Sequence, residues 1–192
     1  SAKAFGDKHT VKCNNGYIGG GEFTCGEKKK FFGLACEKAT KPKAIEWTAL
    51  NCVKVGKDGK VVKSGCGNGW NGGAVSKMGV RGISSIEFKC HTNQHSMIGY
   101  SKGNHHSSYT DLDCGFYCDN GTIRVVEKGR HKYNGTRYTA KHVHSMLRVG
   151  STVMYFSQGK HLRTCEVKVP GTAFVDISAS YRGPPGYKLI TS

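Results

Sequence analysis

Short alternating runs separated by turn dipeptides fill the chain from Ile45 to Ile190. Ser84–Cys90 reads Ser-Ser-Ile-Glu-Phe-Lys-Cys, and Ser96–Tyr100 reads Ser-Met-Ile-Gly-Tyr. Leu112, Cys114, Phe116 and Cys118 stand at every second position and are expected to share one strand face. Thr122–Val126, Met146–Val149, Thr152–Phe156, Leu162–Cys165 and Ala173–Ser178 continue the series. Asp-Gly, Asn-Gly and Gln-Gly pairs lie between the runs. Such pairs tolerate the positive φ that tight hairpins require. A period of two with turn chemistry every ~8–12 residues predicts an all-β sandwich or barrel. That scaffold hosts many functions, so any chemistry must be argued from a site.

A length of 192 residues suits one domain with a small appendage. Hydrophobic residues make up 37%, below the usual ~45–50%, and 27 residues are glycine. This profile fits a turn-rich sandwich and not a helical bundle. No apolar run approaches the ~20 residues that cross a bilayer, so no membrane span is expected. The chain starts at Ser1 without a leader pattern; if the protein is secreted, this is its mature form.

Nine cysteines occur, at 13, 25, 36, 52, 66, 90, 114, 118 and 165. None has the C-x-x-C spacing of a zinc ribbon or thioredoxin-type site. Two sequons, at Asn120 and Asn134, offer glycosylation sites. Together these features point to an oxidising, extracellular setting and a secreted protein. The odd count leaves at least one cysteine free or bonded to another chain.

Cys52 and Cys66 flank a hairpin over Lys54–Val62 built on Asp58-Gly59. Cross-strand neighbours stand ~4.5–5.5 Å apart, within disulfide reach, so a Cys52–Cys66 bond is expected. Cys114 and Cys118 lie ~13 Å apart along an extended strand and cannot bond each other. Cys90 and Cys165 can each reach one of them.

Net charge is +16, from 29 Lys and Arg against 13 acids. Solubility alone asks for a magnitude of roughly 2–8. A field of this sign recruits polyanions. The cysteines argue against nucleic acid, which leaves acidic glycans and anionic mineral surfaces such as silica. Lysine outnumbers arginine, and a mobile point charge suits diffuse attraction better than bidentate readout. The candidate polyanion-binding residues are Lys28, Lys29, Lys30, Lys54, Lys57, Lys60, Lys63, Lys128, Arg130, Lys132 and Arg137, expected at hairpin tips and strand edges. His105 and His106 join them from a polar loop. Edge lysines also block edge-to-edge pairing.

Residues 1–43 differ from the rest. They hold Cys13, Cys25 and Cys36, a Gly19-Gly-Gly21 run, and a linker over Lys38–Lys43 in which Pro42 bars regular structure. Val11–Tyr17, Phe23-Thr-Cys25 and Cys36 resemble the second half of a complement-control (sushi) module, and that resemblance implies a Cys13–Cys36 bond. Residues 44–192 form the sandwich. Here Trp47-Thr48, Gly69–Ser76, Ile86-Glu-Phe88, Met97–Ser101, Tyr109–Asp113, Val126–Gly129, Val153–Lys160 and Phe174–Ser178 follow one another in a familiar order. The ordered set resembles the concanavalin-A-like jelly-roll domain of laminin-G, lectin and glucanase type. The resemblance implies two curved antiparallel sheets packed face to face, and fixes no ligand.

Glycosidases need two carboxylates ~5–5.5 Å or ~6.5–9.5 Å apart. No strand here carries such a run; Asp111 and Asp113 share a face but read as turn chemistry, and Glu87 and Glu127 as isolated strand carboxylates ion-paired with the abundant lysines. No enzyme activity is expected. Calcium needs clustered oxygens, and Asp119-Asn120 with Asp111/Asp113 are too few, so no metal or cofactor is expected. There is no G-x-S-x-G elbow. Trp47 and Trp70 read as core, although Trp70 or a tyrosine can serve as a stacking platform for sugar. The expected function is a secreted, non-enzymatic structural or matrix protein that engages anionic glycan or mineral and self-associates. The alternatives are a soluble, defensive glycan-binding lectin and, third, a glycoside hydrolase.

Overall fold

The computed structural model describes residues 45–57, 61–92, 95–103 and 108–180, with the backbone of short strands within 8–38 and of 186–191. The N-terminal segment contributes β1 (Lys8–Val11), β2 (Tyr17–Ile18), β3 (Gly21–Cys25), β4 (Phe31–Phe32) and β5 (Glu37–Lys38). The alternating region follows with β6 (Trp47–Asn51), β7 (Val53–Val55), β8 (Val61–Lys63), β9 (Gly72–Ser76), β10 (Ile83–Lys89) and β11 (His95–Ser101). A 3-10 turn over Tyr109–Asp111 leads into β12 (Cys114–Asp119), β13 (Thr122–Glu127) and β14 (Arg130–Arg137). The rest are β15 (Val143–Val149), β16 (Thr152–Ser157), β17 (Lys160–Thr164), β18 (Phe174–Ala179) and β19 (Gly186–Thr191).

These strands build a seven-stranded sheet, β14-β13-β12-β11-β18-β9-β6, and a five-stranded sheet, β17-β16-β15-β10-β19. Neighbours pair antiparallel, as hairpin connections require. The alternation sets which side chains face inward. From the larger sheet come Ile98, Tyr100, Phe116, Ile123, Val125, Val175 and Ile177; from the smaller come Ile86, Phe88, Met146, Val153 and Tyr155. Phe116 sits at the centre, meeting Phe88 and Tyr155 edge to face with centroids 5.6 and 5.1 Å apart. Each such buried side chain contributes about 1.5–3 kcal/mol.

Two disulfides staple the sheets through this core. Cys118 of β12 bonds Cys90, just past β10, and Cys114 bonds Cys165, just past β17. Their Cα separations are 5.8 and 6.1 Å. Cys52 and Cys66 are bonded across the foot of the β7–β8 hairpin, with Cα atoms 5.7 Å apart. The Asp58-Gly59 turn and the Cys13–Cys36 pair lie outside the described residues.

Three expectations need correction. Leu112 does not share a face with Cys114, Phe116 and Cys118. The 3-10 turn closes through Leu112 N–H to Tyr109 O, and the strand starts only at Cys114. Leu112 therefore packs outside the large sheet with Met97 and Val126. Lys63 is not an exposed hairpin cation: at the end of β8 it is only 3% exposed. Glu127 is ion-paired, but with Arg163 and with no lysine among the described residues.

Candidate functional site

Strand alternation turns a second set of side chains onto the outer face of the seven-stranded sheet. Register aligns Arg124, Tyr117, Met97, Ser178 and Gly73 in one row across β13, β12, β11, β18 and β9. The next row brings His95 opposite Asp119, and Thr122 opposite Arg137. On the other side, His131 pairs with Val126, then Gly115, Gly99, Asp176 and Val75.

That last row is buried from Val126 to Val75, and His131 stays exposed at its end. Leu112 sits on Gly115, where an added Cβ would stand 3.0 Å from its Cδ1. Asp176 is buried in the same row, and its Oδ2 has no hydrogen-bond partner among the described residues. Burial pushes its pKa up to about 7.

The other two rows stay partly open. Trp70 leans over them from the β8–β9 connection and meets Tyr109 and Tyr117 edge to face, with centroids 5.4 and 5.5 Å apart. All three rings are half-buried against Met97, Leu112 and Val126. Trp70 thus packs on a second, smaller apolar cluster outside the main core, whereas Trp47 packs on the main core.

Polar groups border the rings. Arg124 Nε donates to Asp119 Oδ2 at 2.7 Å, and its side chain keeps 35% exposure. His95 Nδ1 lies 3.0 Å from the Tyr117 hydroxyl and 3.2 Å from Asp119 Oδ1. His131 is exposed, its ring 5.9 Å from that of Tyr117. Burial, then the Asp119 charge, push the Tyr117 hydroxyl above its usual range, so it stays protonated and able to donate. Arg124 stands opposite a bulge in β14. Gly135, at φ +97°, runs so close to β13 that an added Cβ would stand 2.7 Å from Ile123 O.

The sequence-based cations divide. Lys54 and Lys57 are exposed on the β7–β8 hairpin, and Lys128, Arg130 and Arg137 on the β13–β14 hairpin. The β7–β8 hairpin is a separate two-stranded sheet that follows β6, and β6 and β14 are the opposite edges of the seven-stranded sheet, six strand intervals of ~4.8 Å or about 29 Å apart. The cations therefore form two clusters and not one face. Lys132 is engaged by Glu166 at 2.8 Å, so its charge is locally matched. Lys28, Lys29, Lys30, Lys60, His105 and His106 fall outside the described residues. Asn120 and Asn134 are exposed. Among the described residues no group of three His, Cys, Asp or Glu converges as a metal site, and no helix is long and apolar enough to cross a membrane.

The outer-face residues were within reach of the sequence. Tyr117 and Asp119 occupy the positions complementary to Cys114, Phe116 and Cys118, and Arg124 lies between Ile123 and Val125. The alternation that assigns the inward set assigns these outward. Their convergence needed the strand register.

No family model matches the chain, and no curated protein matches it in sequence. Solved structures do match in shape. The exoplasmic/lumenal domain of VIP36 superposes with TM-score 0.53 at 9% identity, covering 76% of this chain and 82% of that one. This likeness in shape shows the fold. The chain is a concanavalin-A-like jelly roll. The SPRY domain of human HERC1 aligns with TM-score 0.51 at 14% identity, over 77% of this jelly-roll chain and 94% of its own. The carbohydrate recognition domain of Emp47p gives 0.51 at 11%, over 80% and 96%.

Proposed function

We propose that this jelly-roll protein is a secreted, non-enzymatic module that binds anionic glycans on the outer face of its seven-stranded sheet. The carrying observation is the placement of Trp70 and Tyr117 beside the Arg124–Asp119 pair. A half-exposed aromatic ring offers an apolar face to the C–H side of a sugar. The Arg124 guanidinium matches carboxylate or sulfate. Asp119 accepts sugar hydroxyls, and His95 and His131 add donors within the same patch. The net charge of +16 raises the local concentration of any acidic polymer. Two relatives in fold are described as a mannose-bound lumenal domain and a carbohydrate recognition domain, which supports a sugar ligand. The three disulfides among the described residues support an oxidising, extracellular location.

A second reading has its own observation. Lys54 and Lys57, on the separate β7–β8 hairpin that follows edge strand β6, and Lys128 and Arg130, on the β13–β14 hairpin at the opposite edge of the large sheet, are exposed. Such spacing suits adhesion to an extended anionic surface, silica included, and cross-linking within a matrix. Retention on heparin, on silica particles and on neutral glycan resins separates the two. The glycan reading expects heparin retention that weakens with salt and drops in Trp70→Ala. Salt-sensitive retention on heparin and silica alike, unchanged in that variant, would favour the surface reading. Salt-independent retention by a neutral sugar would exclude both.

A further inference from the structure

Lys63 is a buried lysine that no carboxylate among the described residues pairs with. It is only 3% exposed, and its ammonium donates to Gly69 O at 2.5 Å and Ser180 O at 2.8 Å. Its hydrocarbon stem lies on Gly72, where an added Cβ would stand 3.2 Å from Lys63 Cγ. Desolvation lowers its pKa. An ammonium held by carbonyl dipoles alone is an expensive way to fill a core position that an apolar side chain fills more cheaply.

What it holds explains the expense. Gly69 O also accepts Asn71 N–H at 2.9 Å, closing a three-residue turn with Trp70 at its apex. Ser180 O also accepts Gly69 N–H at 3.3 Å. Lys63 thus bridges Gly69 O to Ser180 O, the carbonyl just after β18 that also holds Gly69 N–H. The rest of the frame is Asn71 Nδ2 on Cys66 O at 2.9 Å, Asn51 Nδ2 on Asn71 O at 3.1 Å, and the Cys52–Cys66 bond.

We propose that Lys63 is a positioning residue that sets the stance of Trp70 over the outer face. It touches no ligand. Its ammonium draws the Gly69 carbonyl inward, which points the indole towards Tyr109 and Tyr117. Without it, both carbonyls keep one backbone partner each, so the fold survives while the turn relaxes. The assignment rests on the glycan-site reading for its functional consequence, but not for its structural one.

The test uses the full chain with Trp47→Phe, leaving Trp70 as the only indole. Lys63→Met and Lys63→Gln are compared with Lys63 for Trp70 emission, acrylamide quenching, thermal unfolding and heparin affinity. Both variants are expected to unfold cooperatively, with Trp70 shifted to the red and more readily quenched. Heparin binding is expected to fall roughly tenfold, the scale of losing one aromatic anchor, with Gln between Lys and Met. Unchanged emission and quenching in folded variants would overturn the assignment, as would failure of both to fold, because Lys63 would then hold the whole sandwich. Altered emission with no heparin binding by the parent protein would keep Lys63 as the positioning residue and discard the glycan site.

Discussion

The indole of Trp70 meets the ring of Tyr117 edge to face, with centroids 5.5 Å apart. This contact joins a loop to the middle of the large sheet and places an aromatic edge beside Arg124. Trp70→Ala removes it. The satellite position predicts a stability cost below the ~3–5 kcal/mol of a core Trp→Ala change. Glycan binding should lose at least about 1 kcal/mol, fivefold or more. Calorimetric titration with a sulfated oligosaccharide, beside thermal unfolding, checks both; a large loss of stability with unchanged affinity would return Trp70 to a purely packing role.

Two buried groups predict opposing pH effects. His144 is fully buried among Phe88, Phe116 and Tyr138, and neither ring nitrogen has a hydrogen-bond partner among the described residues. Burial lowers its pKa to about 4. Unfolding returns it towards ~6.5, so its contribution is intact above that value and is lost as pH falls towards 4. Asp176, raised to about 7, works the other way. Its folded form holds a proton that the unfolded form releases near ~3.9, so it loses stability as pH rises from 4 to 7.

The native protein should therefore show a nearly flat stability between pH 4.5 and 6.5 (about, from these two pKa values). His144→Phe should become less stable as pH rises, and Asp176→Asn more stable, each by up to about 3 kcal/mol across the interval. Urea unfolding at several pH values checks this. Parallel profiles in all three proteins would contradict it.

Arg163 offers a third test. Its Nε donates to Glu127 Oε1 at 3.1 Å, and it also pairs with Glu166. The Glu127 side chain is fully buried, and its Oε2 accepts Glu166 N–H at 3.0 Å. Arg163→Met strands a buried carboxylate and should cost about 3–5 kcal/mol. Adding Glu127→Gln should restore most of it. Thermal unfolding of the single and double variants decides; an unaffected single variant would show that the pair contributes nothing.

The disulfides should open in order of exposure. Cys66 is exposed and Cys52 half-buried, whereas Cys90, Cys114, Cys118 and Cys165 lie in the core. Mild reduction followed by alkylation should label Cys52 and Cys66 first, with Trp70 emission shifting as the loop frame loosens. Labelling of Cys114 or Cys165 before them would contradict the order.

The sequence exposed the fold where alternation was strong. Phe116 and Tyr155 betray their strands because apolar residues recur at every second position. β14 escaped notice because Arg130–Arg137 carries a single apolar ring, Tyr133, among polar residues, as an edge strand can, and its bulge at Gly135 breaks the period. Lys63 looked like a surface cation because nothing local marks it; the carbonyl that captures it, Ser180 O, lies 117 residues away. The same holds for Arg124 and His95. Each is visibly outward on its own strand, but only register makes them neighbours of Asp119.

The central claim is that an acidic glycan is held on the outer face beside Trp70 and not merely attracted to the charged hairpins. Backbone amide and tryptophan indole NMR shifts, followed during titration with a size-defined heparin oligosaccharide at about 0.05 and 0.15 M salt, test it most directly. The account predicts saturable shifts at Trp70, Tyr117, Asp119, Arg124 and His131 at both salt concentrations, with weaker affinity at the higher one. Shifts confined to Lys54, Lys57, Lys128 and Arg130, vanishing at the higher salt while Trp70 stays unmoved, would contradict it.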